Sequence, residues 1–180
     1  MSGLVEALVE ARRAGVLLAD ASALLPTSVA EAYALQDAHL AGLAGEYGDA
    51  IAGYKIGGTN PAMLKMLGLD APFHGAMPAA FVHEAPVTLP AKTFSPSLIE
   101  VEIAFRFASG LPSRERPYEE AEIADAIACA MPAIEIVAAR AAVPTGPNAR
   151  LLIADLAGFG ALVHGAPVKD WRAIDLKTLP

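Results

Sequence analysis

One run, Leu98-Ile99-Glu100-Val101-Glu102-Ile103-Ala104-Phe105, constrains this chain more than any other segment. Its apolar and acidic residues alternate, and successive side chains of a β-strand point to opposite faces. The pattern predicts a strand with Ile99, Val101, Ile103 and Phe105 facing a core and Glu100 and Glu102 side by side on the other face. Two carboxylates that close repel unless something positive lies between them. A third acid lies in a similar run, Ala133-Ile134-Glu135-Ile136-Val137. Three carboxylates from two strands suggest a divalent cation with oxygen ligands, and hence an enzyme. The competing account is a plain solvent-facing strand surface.

The rest of the sequence fits a catalytic domain of ordinary size. Its 180 residues suffice for one domain with a sizeable core, taken as residues 1–180 with a mainly helical part to 70 and a β-rich part from 71. A hydrophobic fraction of 54% argues against disorder. The net charge of -7 offers no basic stripe for nucleic acid. No stretch free of Asp, Glu, Lys and Arg exceeds 13 residues, too short to span a bilayer. The charged N-terminus, with Glu6, Glu10, Arg12 and Arg13, does not read as a signal peptide. The single cysteine, Cys129, excludes an internal disulfide and reads as a buried thiol. A cytoplasmic protein acting on small molecules is expected, with no membrane or nucleic-acid partner.

Local signals place the candidate groups. Residues 3–14 predict an amphipathic helix with Leu4, Leu8 and Ala11 on one side. Ser28-Val29-Ala30-Glu31 fits a capping box for a helix running to about Glu46, with Gly48 as its stop. Gly53 to Thr59 reads as a short packed strand and glycine turn, and Asn60-Pro61 as the start of a short helix ending at Gly68. Loops and brief strands are expected over 72–96, and a helix over Tyr118 to Cys129. Leu151 to Asp155 reads as a buried strand, with Leu162-Val163 continuing the sheet. His39 is expected on a helix surface. The order is α+β rather than an alternating α/β pattern. No zinc-like histidine spacing, phosphate loop or serine-nucleophile elbow occurs.

Four segments together carry a resemblance: Tyr54-Lys55-Ile56-Gly57-Gly58-Thr59, Ile99 to Ala104, Pro132 to Val137 with Arg140, and Ile153-Ala154-Asp155. In this order they resemble the 2-keto-4-pentenoate hydratase / 2-oxo-3-enedioate decarboxylase family of the fumarylacetoacetate hydrolase superfamily. The resemblance implies a helical N-terminal region packed on a mixed β-roll or distorted barrel. It implies Mg²⁺ or Mn²⁺ held by Glu100, Glu102 and Glu135. It also implies Lys55 and Asp155 as catalytic candidates, and Thr59, His74 and Arg140 as substrate-binding candidates. The expected substrates are short 2-oxo or 2-hydroxydienoic acids of aromatic catabolism, and the protein is expected as a homo-oligomer or in complex with a related subunit. Three carboxylates would leave about three of six octahedral positions for a 2-oxo acid and water.

The residues leave alternatives open. Asp155 could instead cap a turn, and Arg140 could serve a structural ion pair rather than a substrate carboxylate. Decarboxylation of a 2-oxo-3-enedioate needs the same metal. Hydrolysis of an acylpyruvate would need a water-activating pair such as His83-Glu84. Relatives read Asp-Asn-Ala-Ser where this chain reads Asp155-Leu156-Ala157-Gly158, and they continue past the equivalent of Leu176. A C-terminally shortened scaffold, active or degenerate, is therefore expected.

Overall fold

The computed structural model describes residues 3–94, 96–176 and 178. Helix α1 (Gly3–Ala14) buries Leu4, Val5, Leu8, Val9 and Ala11, at the helical spacing its sequence predicts. Helix α2 (Val29–Tyr47) packs on α1 and buries Ala32, Gln36, His39 and Leu43 along one stripe. Ser28 caps α2 by accepting the Glu31 N–H at 3.1 Å. The Glu31 carboxylate turns back to the Thr27 N–H at 2.6 Å rather than to Ser28, so the expected box is displaced by one residue. His39 is fully buried, which corrects the surface expectation. It lies on the face of α2 that meets the chain around Ala154.

Strand β1 (Ile51–Gly57) pairs antiparallel with β2 (Phe73–Pro78) as a two-stranded ribbon. Between them stands α3 (Pro61–Leu67), where the Asn60 side chain accepts the Met63 N–H at 2.8 Å and Gly68 closes the helix with φ 65°. Strands β3 (Val82–Glu84), β4 (Leu98–Phe107), β5 (Ile127–Val137) and β6 (Phe159–His164) form a second sheet in the order β3-β6-β5-β4. The β3–β6 pair is parallel and the other two are antiparallel. Among the described residues the sheets remain open and do not close into a barrel.

Two segments differ from expectation. The predicted helix over Tyr118 to Cys129 is only α4 (Glu120–Ala126), and Cys129 lies buried inside β5. The apolar run before Asp155 is not a strand but α5 (Ala149–Ala154), capped by the Asn148 side chain on the Leu151 N–H at 3.1 Å. A run buried on all sides has no periodicity to tell helix from strand.

The main core joins Val5 and Val9 of α1, Leu43 of α2, Phe81, Phe94, Leu156 and the inner side of β5 and β6. Each such side chain contributes roughly 1.5–3 kcal/mol on full burial. The apolar side of β4 does not join it. Ile99 is 63% exposed and Val101 88%, with Ile103 and Phe105 also exposed, which corrects the expectation that they face a core. The strand lies at the sheet edge, and its buried neighbours approach only the opposite, acidic side, through Ala104.

Candidate metal centre

The β4–β5 register sets Glu100 directly opposite Glu135, with Glu102 two residues along the same face. One carboxylate oxygen from each of the three lies within 4.8 Å of the others. Glu100 and Glu102 reach solvent, whereas Glu135 is 2% exposed. From β1, Lys55 extends its Nζ to 3.2 Å from Glu135 Oε1 and donates to the Ala157 carbonyl at 3.3 Å. Burial pushes the Glu135 carboxyl above the ordinary range, Lys55 opposes that push, and Glu100 and Glu102 add to it.

The donors fit a hard divalent cation. Three carboxylates offer oxygen ligands only, as such ions require. The buried Glu135 Oε1 has no hydrogen-bond donor in proper geometry, although Lys55 lies beside it. An acceptor left in that condition is costly, and a cation bridging the three groups would satisfy it.

The remaining candidates divide. Thr59 is exposed in the loop after β1. His74 pairs with Ile56, so it shares a ribbon face with Ile56 and Tyr54 and lies opposite the Lys55 face. Its ring stacks on Tyr33 at 4.5 Å and meets the Tyr54 edge at 5.5 Å. Arg140, 1% exposed, donates to the Thr93 carbonyl at 2.8 Å. Asp155, also 1% exposed, accepts the Arg140 backbone N–H and faces Arg12 Nη2 at 3.8 Å. Burial lifts its carboxyl to about 6 against the pull of Arg12 and Arg140. The structure thus groups Lys55 with the three glutamates, and sets Arg140 and Asp155 in a buried cluster with Arg12.

Two buried polar residues escaped the sequence reading. Gln36 donates to the Ile153 carbonyl at 2.6 Å and accepts the Ala76 N–H at 3.1 Å, tying α2 to both β2 and α5. Arg12 donates to the Phe159 carbonyl at 2.7 Å. Its signal was present: positions 4, 8 and 12 share one helix face, so Arg12 sits on the apolar side of α1.

This architecture is shared with a solved decarboxylase. It matches 4-oxalocrotonate decarboxylase from Pseudomonas putida G7 with a TM-score of 0.81 and 19% identity in its complex with magnesium and adipate. The complex with calcium and acetate gives 0.80. Each match covers 97% of this chain and 66% of the solved one. Among curated proteins, the chain is 33% identical over 93 residues to the 2-keto-4-pentenoate hydratase of Burkholderia vietnamiensis (strain G4 / LMG 22486). It is 32% identical over 109 residues to the protein of that name from Paraburkholderia phymatum. These stretches are 52% and 61% of this chain, but only 35% and 40% of the relatives' lengths. No protein-family model matches. Among the described residues, no helix is long and apolar enough to cross a membrane.

Proposed function

We propose that this chain carries the metal-binding part of a divalent-metal-dependent hydro-lyase that adds water to a short 2-hydroxy-2,4-dienoate. The observation that carries the proposal is the convergence of Glu100, Glu102 and Glu135 with the Lys55 ammonium 3.2 Å from Glu135. The hydratase names of the two curated relatives support it.

In this reading Glu100, Glu102 and Glu135 would hold Mg²⁺ or Mn²⁺. Such a cation supplies positive charge against the negative charge that develops on a 2-oxo acid head. Lys55 adds a second positive group on the same side and is the candidate proton carrier at its Nζ. The overall change balances as follows. The enol O–H proton leaves and a proton joins C5, giving a 2-oxo-3-enoate. The oxygen of water then bonds to C4 and a proton returns to C3, giving a 4-hydroxy-2-oxo acid. Thr59, exposed beyond β1, remains a candidate for substrate contact. Arg140 and Asp155, the sequence candidates for substrate binding and catalysis, stand in the buried cluster with Arg12. A small-molecule acid is the partner in view, with the protein as a homo-oligomer or bound to a related subunit.

Decarboxylation of a 2-oxo-3-enedioate is the second reading, favoured by the fold match to a decarboxylase crystallised with a dicarboxylate. Acylpyruvate hydrolysis is disfavoured by geometry. His83 pairs with Val163, which pairs with Ile134, so His83 faces away from Glu135. It also sits three strands from β4.

The test is a thermal melt with Mn²⁺ and oxalate, which mimics the 2-oxo-acid head. A ligand at about 100 times its dissociation constant should stabilise by roughly 2.7 kcal/mol. The rise should vanish in Glu100→Ala. A parent protein that melts cooperatively without any shift would remove the metal assignment. Assays of 2-hydroxypenta-2,4-dienoate and of a 2-oxo-3-enedioate then separate the two reactions.

A further inference from the structure

Beneath the candidate site the backbone makes a left-handed turn. Leu156, Ala157 and Gly158 have φ of 53°, 56° and 74° in succession. Two of the three carry a Cβ, and left-handed backbone costs such residues about 1–2 kcal/mol each. Conformations of this kind persist only where their surroundings over-determine them.

The surroundings do so here. The Leu156 side chain is fully buried and Ala157 is 4% exposed. Gly158 donates its N–H to the Asp155 carbonyl and accepts the Ala138 N–H through its own, both at 2.8 Å. At the head of the turn the Asp155 carboxylate accepts the Arg140 N–H. At its foot the Phe159 carbonyl accepts from Arg12 Nη2, the same nitrogen that faces Asp155 at 3.8 Å. One guanidinium therefore joins both ends of a turn more than 140 residues away in sequence.

The turn also has an output. Its Ala157 carbonyl is the acceptor for Lys55 Nζ. The Leu156 carbonyl presses on Gly75, directly opposite Lys55 in the ribbon, where any Cβ would overlap it. Few other routes fix a flexible lysine so closely: Nζ is held between a carbonyl set by the turn and a carboxylate set by β5.

We propose that Arg12 is a positioning residue for Lys55, acting with Asp155 through the left-handed turn 156–158. The proposal rests on the reading of Lys55 as part of the site. It gives α1 a task beyond packing: the helix carries a cation that spans the base of the turn. A planar guanidinium holds that one nitrogen, Nη2, in a fixed place between the carbonyl and the carboxylate, whereas an ammonium is a point charge on a flexible stem.

The experiment uses the chain with its lysines reductively ¹³C-dimethylated and the Lys55 signal assigned by Lys55→Arg. In the metal-free protein, Arg12→Met should move the Lys55 signal towards those of the solvent-exposed lysines, with a cooperative melt retained. Arg12→Lys keeps the buried charge and tests the same link should Arg12→Met fail to fold; the Lys55 signal should move there too. With Mn²⁺ and substrate, kcat should fall by on the order of tenfold to a hundredfold while KM and Mn²⁺ affinity hold, as expected for a misplaced group. An unchanged Lys55 signal in either folded variant overturns the proposal. A moved signal in a protein whose parent turns over no dienoate leaves the positioning intact and removes the hydro-lyase reading.

Discussion

His39 and Asp155 are buried titratable groups in one region, and they pull stability in opposite directions. Burial, aided by the nearby Arg12 charge, lowers His39 to about 3, so the folded protein keeps its imidazole neutral. The unfolded chain takes up that proton below about 6.5. The His39 contribution is therefore complete above that pH and is lost on acidification, at up to about 1.4 kcal/mol per pH unit. Asp155, raised to about 6, works the other way: the folded state holds its proton longer, so stability falls as pH rises from about 4 to 6. In urea titrations between pH 4 and 7, His39→Leu should gain stability relative to the parent as the pH drops. Parallel pH profiles for the two proteins would show that His39 is not the acid-sensitive group. The turn makes a second prediction at this scale. Ala157→Gly removes a Cβ from a φ of 56° and should raise stability by about 1 kcal/mol, read as a higher urea midpoint at unchanged slope.

At the scale of elements, what could be read from the sequence followed from how local its cause was. Helices α2 and α3 were legible because Ser28, Asn60, Pro61 and Gly68 act on their own neighbours. That Glu100 and Glu102 share a face was legible because strand alternation fixes it, whereas their meeting with Glu135 follows from the β4–β5 register and was expected from the family resemblance. Helix α5 was misread because Leu151, Ile153 and Ala154 are buried on every side, which erases periodicity. The predicted helix from Tyr118 ran on into β5 because Ala126, Ala128 and Ala130 suit either state, and sheet pairing with β4 decided. The outward turn of Ile99 and Val101 could not be read at all, since alternation says which residues share a face but not what covers it. Arg12 and Asp155 find each other across 143 positions of chain, beyond any local pattern.

For the whole molecule, the open side of β4 governs solution behaviour. Among the described residues its outer edge is unpaired, and its exposed face aligns Ile99, Val101, Ile103, Phe105 and Phe107, with Ile134 of β5 beside them. Trp171 comes against it in part, meeting the Phe105 ring at 5.5 Å. A long apolar edge strand of this kind recruits other chains. The protein is therefore expected to self-associate with rising concentration, and Val101→Lys, at the most exposed of these positions, should shift it towards the monomer in light scattering. If the parent is monomeric at high concentration and the variant behaves identically, the face is not adhesive.

The direct opposition of Glu100 and Glu135 has a consequence for how the chain reaches its fold. A slip of β4 by a single residue would set Ile99 or Val101 against Glu135 and rotate both of its own glutamates to the far side of the sheet. A slip of this kind separates the three carboxylates. Among the described residues nothing pairs with its outer edge, so β4 takes its alignment from β5. A bound cation would then proofread the sheet, rewarding an alignment in which its ligands meet and leaving the one-residue slips unrewarded.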